Sequence, residues 1–401
     1  MMAQFATREL RAQMLATATI GVLNAVLLLF LARLLGPENY AVYGVAAAVG
    51  SIALVFQDGG HKTQLFRELT HPTDPLSSPD NLISAATGWT LLATGIVLLG
   101  GLIYGLTVNQ ASAMAACLAV TTNLNKAYCA YASSAMRARN AFVKEAGAQL
   151  RRHGIVAVCV ISAALMLPNP FVALTAALTG QAIALWLFSD RRELRWPRLS
   201  GPILQLMLID LLTIGYSRID LFVLASVWPS KAEVGVYTAL SRVIDIYVFA
   251  LTPLAAIFFR MVRVKPDSVG LKRFTLLSLA LGIPGLIALP VAIYFGEWIL
   301  VTVLGPGYRP AAEYLPWLVV VTLLLAPNYL AGQLLISRNR ERTFVVAVLV
   351  TLAIKATLCF TLIPRYGPMG CVMSIITVEL VLMCILMTSV ARAMPAQPAL
   401  P

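Results

Sequence analysis

Residues 203–259 read ILQLMLIDLLTIGYSRIDLFVLASVW (203–228), PSKAE (229–233) and VGVYTALSRVIDIYVFALTPLAAIFF (234–259). Each long segment can cross a bilayer as a helix, since a span takes ~20 mostly apolar residues. Charges nevertheless sit deep in both: Asp210, Arg218 and Asp220 in the first, Arg242 and Asp245 in the second. At ~1.5 Å rise per residue, Arg218 is roughly 15 Å from the outer end at Trp228, and Arg242 roughly 12 Å from Val234. A charge at mid-span costs ~2.5–3.5 kcal/mol even on the lenient insertion scale. Such residues persist facing a bundle interior or a water-filled cavity, where they mark a transport path or pair with each other as struts.

The composition agrees with membrane spans. The 401-residue chain is 59% hydrophobic and 12% charged, against ~25% charged residues in soluble domains. No soluble domain of useful size fits between the apolar runs. The formal charge of +12 lies in short links on one side, so it reads as an orientation signal and not as a nucleic-acid surface. Cys117, Cys129, Cys159, Cys359, Cys371 and Cys384 fall inside apolar runs without metal-ligand spacing, and read as small core residues rather than disulfides. His61, His71 and His153 are scattered, so no metal site is expected. MMAQFATRELRAQ leads into an apolar run too long for a signal-peptide core, and reads as an uncleaved first span.

Apolar length gives an all-α polytopic membrane protein of about twelve spans: 13–35, 40–60, 82–104, 112–135, 147–167, 170–189, 203–228, 234–259, 274–296, 311–336, 343–363 and 369–391. With the N-terminus inside, clusters such as Arg137, Arg139 and Lys144, Arg191, Arg192, Arg195 and Arg198, and Arg338, Arg340 and Arg342 all fall inside. The opposite side holds only Arg33, Lys231, Arg309 and Arg365. This asymmetry places both termini in the cytoplasm. The outer links are bare turns, the longest around Glu297–Pro310, too small for the acceptor and catalytic groups of a polymer-building enzyme.

The chain also echoes itself. Ala32-Arg-Leu-Leu-Gly-Pro-Glu-Asn-Tyr-Ala-Val-Tyr43-Gly-Val-Ala links spans 1 and 2, and Ala225-Ser-Val-Trp-Pro-Ser-Lys-Ala-Glu-Val-Gly-Val-Tyr237-Thr-Ala links spans 7 and 8. Copies six spans apart share one membrane orientation, so two parallel six-helix halves are expected, 1–200 and 201–401. Transporters on this plan place substrate between the halves and alternate access by rocking.

Within the spans, cations are as prominent as acids. Lys126, with Asn123 one turn before it, Arg218, Arg242 and Lys355 would line a cavity suited to a phosphate or diphosphate, by arginine fork and lysine point charge. Lys126 and Lys355 could equally be neutralised by Asp58 or Glu379. Arg242 and Asp245 share a helix face, whereas Arg218 and Asp220 point nearly opposite ways. An acid in a partly dry cavity can exchange a proton or bind Na⁺ during transport, which makes Asp220, Asp245, Asp58 and Glu379 the ion-coupling candidates. No Gly-rich phosphate loop, nucleophile elbow or metal cluster accompanies them, so no enzyme is expected. Pro253, Pro284, Pro290, Pro316 and Pro327 would bend their spans.

Leu31-Ala-Arg-Leu-Leu-Gly-Pro-Glu-Asn-Tyr40, with Asp58-Gly59 closing span 2, resembles the opening of the Wzx-like oligosaccharide flippases. These belong with the MATE drug exporters and the lipid II flippases in the MOP superfamily. Arg218-Ile-Asp220 followed by Glu233-Val-Gly-Val-Tyr237, then Gly305-Pro-Gly-Tyr-Arg-Pro-Ala-Ala and Leu362-Ile-Pro-Arg-Tyr-Gly-Pro-Met-Gly370, are similar in order and spacing. The chain departs at Ala41-Val42 and at His61, where that family has Gly and a small residue. The resemblance implies a bacterial inner-membrane flippase that moves undecaprenyl-diphosphate-linked glycan from the cytoplasmic to the periplasmic leaflet. It would use no cofactor beyond a possible H⁺ or Na⁺ gradient. Its partners would be that lipid-linked oligosaccharide, the bilayer and other polysaccharide-assembly membrane proteins. A MATE-like cation antiporter shares the plan, but its cavity should be acidic, and an integral polymerase or ligase is the enzyme alternative.

Overall fold

The computed structural model describes residues 2–70, 79–107, 110–139, 141–188, 201–264, 271–338 and 340–393. The basic link of Arg191, Arg192, Arg195 and Arg198 lies outside them, as do Lys265 and His71. Every regular element among the described residues is helical: α1 (Met2–Asp58), α2 (His61–Thr70), α3 (Pro79–Thr107), α4 (Gln110–Ala138), α5 (Phe142–Met166), α6 (Pro170–Phe188), α7 (Gly201–Val227), α8 (Lys231–Val264), α9 (Leu271–Leu304), a 3-10 segment (Pro306–Glu313), α10 (Leu315–Ser337), α11 (Glu341–Tyr366) and α12 (Pro368–Ala393).

Nine described segments are long and apolar enough to cross a membrane. One of them, Leu15–Asp58, is two helices in one. Gly36 stands at φ 70°, ψ 168° inside α1, and Pro37 follows it. Only glycine takes that backbone without a Cβ penalty, and proline at the first position of the new arm gives up no hydrogen bond. So the expected spans 1 and 2 are the two arms of α1. The 29-residue α4 and the 27-residue α7 are long enough to cross but carry more polar groups.

The chain forms two compact units, Met1–Ile214 and Gly215–Pro401. The division falls inside α7 and not at the expected 200/201 link. The reason is local: Gly60 has no Cβ, and the α7 backbone comes so close that an added Cβ would lie 2.6 Å from the Ile203 carbonyl.

In the N-terminal unit α1 packs on α3, α4, α5 and α6. Its contacts with α4 use small residues: Ala46 packs with Ala115 and Ala119, and a Cβ added at Gly50 would lie 3.1 Å from Ala119 Cβ. Lipid offers little hydrophobic drive between helices, so close approach through small side chains holds such a unit together. At the end of α1, Gly59 (φ 56°) and Gly60 (φ 84°) turn the chain. A side chain at Gly59 would run into the Trp89 indole, whose Nε1 donates to the Phe56 carbonyl at 2.8 Å. The turn releases the short helix α2, which the spans above leave as a link. Its Leu65 is buried against Ile83, Ala86 and Tyr131.

In the C-terminal unit α10 is central, packing on α8, α9, α11 and α12. Leu330, Ala331, Leu334 and Leu335 of α10 meet Phe258, Phe274, Leu386 and Val390 in one core. α9 shows Leu279, Ile283, Leu286, Ile287, Ile293 and Phe295 on its surface, as a lipid-facing helix does once its backbone is satisfied internally. It runs on to Leu304, so the expected outer link at 297–310 is largely helix and 3-10 turn. Pro284, Pro290 and Pro327 lie inside helices, whereas Pro316 sits in the first turn of α10 and bends nothing. Span 5 begins at Phe142, earlier than expected, and Asn169 caps α6 by accepting the Phe171 amide at 2.9 Å.

Candidate functional site

Tyr216, Arg218 and Asp220 lie within two turns of α7. Tyr216 and Asp220 are four apart and share a face, while Arg218 looks the other way. That spacing splits the polar groups of the C-terminal unit into two sets.

The first set is an ion triad. Arg218 Nη2 donates to both oxygens of Asp245, at 3.2 and 3.0 Å. Arg242, one turn before Asp245 on α8, donates to Asp245 Oδ2 at 2.8 Å. Two guanidinium groups thus share the Asp245 carboxylate. The Asp245 side chain is 35% exposed, and those of Arg218 and Arg242 are 16% and 10% exposed. The triad therefore reaches open space from within apolar helices.

The second set is sealed. Asp220 and Lys355 are each 3% exposed. Lys355 Nζ, from α11, donates to the Tyr216 carbonyl at 2.6 Å and to Asp220 Oδ1 at 3.4 Å. The ammonium also stands 5.1 Å from the centre of the Tyr216 ring, a cation–π distance. The Tyr237 hydroxyl donates to Asp220 Oδ2, and Cys371 Sγ to the Asp220 carbonyl at 3.8 Å. On α12, Glu379 is held by neutral donors: the Tyr216 hydroxyl at 2.7 Å and Asn328 Nδ2 at 2.7 Å. Asn328 Oδ1 is buried without a partner. Five helices thus converge on a chain of groups running from Glu379 through Tyr216 to Lys355, Asp220 and Tyr237.

This arrangement corrects one pairing. Lys355 closes on Asp220 and not on Glu379, because α11 presents it to the Tyr216–Asp220 face of α7. Sequence reasoning also missed Tyr216, Tyr237 and Asn328. Their signal was present: Tyr216 is one turn from Asp220, and Asn328 is one of two amides in an otherwise apolar helix.

Lys126 and Asp58 belong to the N-terminal unit. Asp58 does not neutralise Lys126. It ends α1 and caps α2, its Oδ1 accepting the Lys62 amide at 3.1 Å. Asp210 lies within electrostatic reach of Asp58 and Lys62. His61 is buried beside them, its Nδ1 2.9 Å from the Asp58 carbonyl and its ring stacked on Trp89 at 6.0 Å. Burial pushes the His61 imidazole below its ordinary range, with the Asp58 carbonyl opposing. Among the described residues no three His, Cys, Asp or Glu converge as a metal site.

The comparisons with known proteins add three findings. The family described as "Polysaccharide biosynthesis protein" matches residues 30–313. No curated protein sequence is significantly similar to the chain. Solved structures share the fold of the MOP superfamily. An inward-facing multidrug resistance MATE family transporter of that superfamily matches at TM-score 0.64 and 14% identity, over 96% of this chain and 98% of that one. The lipid II flippase MurJ, inward closed, matches at TM-score 0.70 and 14% identity, over 93% and 87%. The MATE multidrug transporter DinF-BH matches at TM-score 0.64 and 14% identity, over 97% and 95%. At such identities the likeness is one of fold; the chain's own apolar segments make it a multi-pass membrane protein.

Proposed function

The chain belongs to the polysaccharide biosynthesis protein family, and from that premise we propose that it is a flippase for lipid-diphosphate-linked glycan. The cargo is an undecaprenyl-diphosphate-linked oligosaccharide, carried by alternating access from the cytoplasmic to the periplasmic leaflet of a bacterial inner membrane, with both termini cytoplasmic. The lipid tail stays in the bilayer and no covalent chemistry is performed. A lipid II flippase has the same fold.

The observation that carries this reading is the triad. Arg218 and Arg242 share the single carboxylate of Asp245, so the set attracts an anion even while paired. Guanidinium forks match phosphate oxygens bidentately. Asp245 is the gate in this scheme: diphosphate displaces it from one arginine while the other retains it. Lys355, locked on Asp220, holds the sealed chain together and adds a more distant positive charge.

Coupling to an H⁺ or Na⁺ gradient falls to the acids. Asp245 is claimed by two arginines, Asp220 by Lys355, and Asp58 by the α2 amide. Glu379 is held by neutral donors beside the unpartnered Asn328 oxygen, so it is the acid we assign to ion exchange. The test of the reading is surface glycan in cells. Arg218→Ala or Arg242→Ala abolishes its export while the protein still inserts, and normal glycan in both variants sinks the assignment.

A further inference from the structure

Among the described residues the N-terminal unit holds positive charge that no carboxylate pairs with. The acid at the facing ends of α4 and α5 is Glu145, and it is already filled. It accepts from Arg137 Nη2 at 2.9 Å and Nε at 3.1 Å, from Gln13 Nε2 at 3.0 Å, and from the Ser133 hydroxyl. Arg152, two turns further along α5, has neutral partners instead. Its Nη2 donates to Gln149 Oε1 at 2.8 Å and to His153 Nε2 at 2.9 Å. A ring nitrogen that accepts from a guanidinium carries no proton, so His153 adds no charge of its own. Arg152 Nε is buried without an acceptor. Lys126 of α4 lies within electrostatic reach of Arg152 and His153. No carboxylate reaches ion-pair distance of it among the described residues.

Beside these groups is a small, half-open pocket bounded by α4, α5 and α6. Arg152, Gln149, Ser133 and the Glu145 carboxylate, itself filled by Arg137, stand on its wall, and Ala132, Ala148 and Ala184 leave the room. Gln149 Nε2 donates to Ser133 Oγ at 3.2 Å, which aligns both side chains. Lys126 sits one helical turn before Cys129, which also lines the pocket.

We propose that this pocket is a phosphate-binding site, with Arg152 and Lys126 as its cations and Gln149, whose amide keeps a second N–H, as its neutral donor. Two adjacent uncompensated cations in a membrane protein repel each other, and a phosphate between them removes that repulsion while filling the free guanidinium donor. A phosphate on a bilayer lipid and a soluble or cargo-borne phosphate offer the same chemistry. The site does not rest on the transport reading.

Cys129 reports occupancy, with the exposed Cys384 as reference. The full chain is alkylated with N-ethylmaleimide in detergent, and each cysteine is followed by peptide mass spectrometry. Millimolar inorganic diphosphate slows Cys129 by about threefold, the change expected at a concentration twice Kd. Cys384 is unaffected, and chloride at equal ionic strength does not substitute. Lys126→Gln combined with Arg152→Gln removes the protection; should that variant fail to fold, the wild-type comparison still decides. Protection by phosphatidic acid in nanodiscs, absent with phosphatidylcholine, assigns a lipid headgroup. Protection by diphosphate alone assigns a soluble or cargo-borne phosphate. A Cys129 rate unchanged by either, or protection that survives the double variant, overturns the proposal.

Discussion

Lys355 of α11 and Asp220 of α7 form a buried ion pair at 3.4 Å, each side chain at most 5% exposed. The ammonium makes its shorter bond, 2.6 Å, to the Tyr216 carbonyl. A main-chain acceptor thus fixes the lysine, and the carboxylate completes its charge balance. Removing one partner leaves a bare charge in a dry interior, which costs about 3–5 kcal/mol. Lys355→Met therefore lowers the detergent melting temperature steeply, and Lys355→Met with Asp220→Asn restores most of it. Equal melting of wild type and the single variant would show that the pair is not closed in the folded protein.

Asp245 behaves differently because it is partly exposed. Asp245→Asn keeps the hydrogen-bonding shape but frees two guanidinium charges. Partly exposed pairs contribute about 1 kcal/mol or less to stability, so melting changes little. Transport falls about tenfold, since cargo is held without a carboxylate to compete for the arginines, a change of about 1.4 kcal/mol. A flipping rate equal to wild type would remove Asp245 from the gate.

These two sets show what the sequence displays and what it withholds. The span pattern, the depth of Arg218 and Arg242, and the opposite facing of Arg218 and Asp220 follow from helical periodicity alone, because a helix fixes where each side chain points. Periodicity says nothing of which helix stands opposite. Asp58 and Glu379 therefore read as the partners of Lys126 and Lys355, whereas Lys355 meets Asp220, and Tyr216 and Asn328 pass unnoticed among apolar neighbours. The short α2 was also hidden, since it depends on the backbone angles at Gly59 and Gly60.

Glu379→Gln keeps one acceptor oxygen and turns the other into an NH2 donor, which the unpartnered Asn328 Oδ1 can accept after an amide flip, but it cannot exchange a proton or bind a cation as a carboxylate does. The expected outcome is flipping that no longer responds to an imposed H⁺ or Na⁺ gradient, while exchange without a gradient continues. A response as strong as wild type would move coupling to another acid.

His61 gives a pH test. Its imidazole is held neutral by burial, below the ordinary value of 6.5. Its stabilising contribution is complete above that unfolded value. It is lost as pH falls toward the folded one, because the unfolded chain takes up the proton first. Asp58, Lys62 and Asp210 surround the same turn. Between about pH 7 and pH 5 the melting temperature should lose more in wild type than in His61→Asn. Identical pH dependence would show that His61 carries none of the acid sensitivity.

Gly59→Ala places a side chain at positive φ against the Trp89 indole. Strain of that kind costs about 1–3 kcal/mol, visible as a lower melting temperature. Combining it with Trp89→Ala recovers the steric part only. No loss in the single variant would mean that the turn relaxes freely.

The most direct measurement is flipping by the purified full chain in proteoliposomes, with a fluorescent lipid-diphosphate oligosaccharide and imposed H⁺ or Na⁺ gradients, comparing wild type with Arg218→Ala. The account predicts that wild type equilibrates the lipid between leaflets and that the variant, folded and inserted, is slower by about tenfold or more, at least 1.4 kcal/mol of lost stabilisation. A well-folded wild type that flips nothing under either gradient, or a variant as fast as wild type, would contradict it.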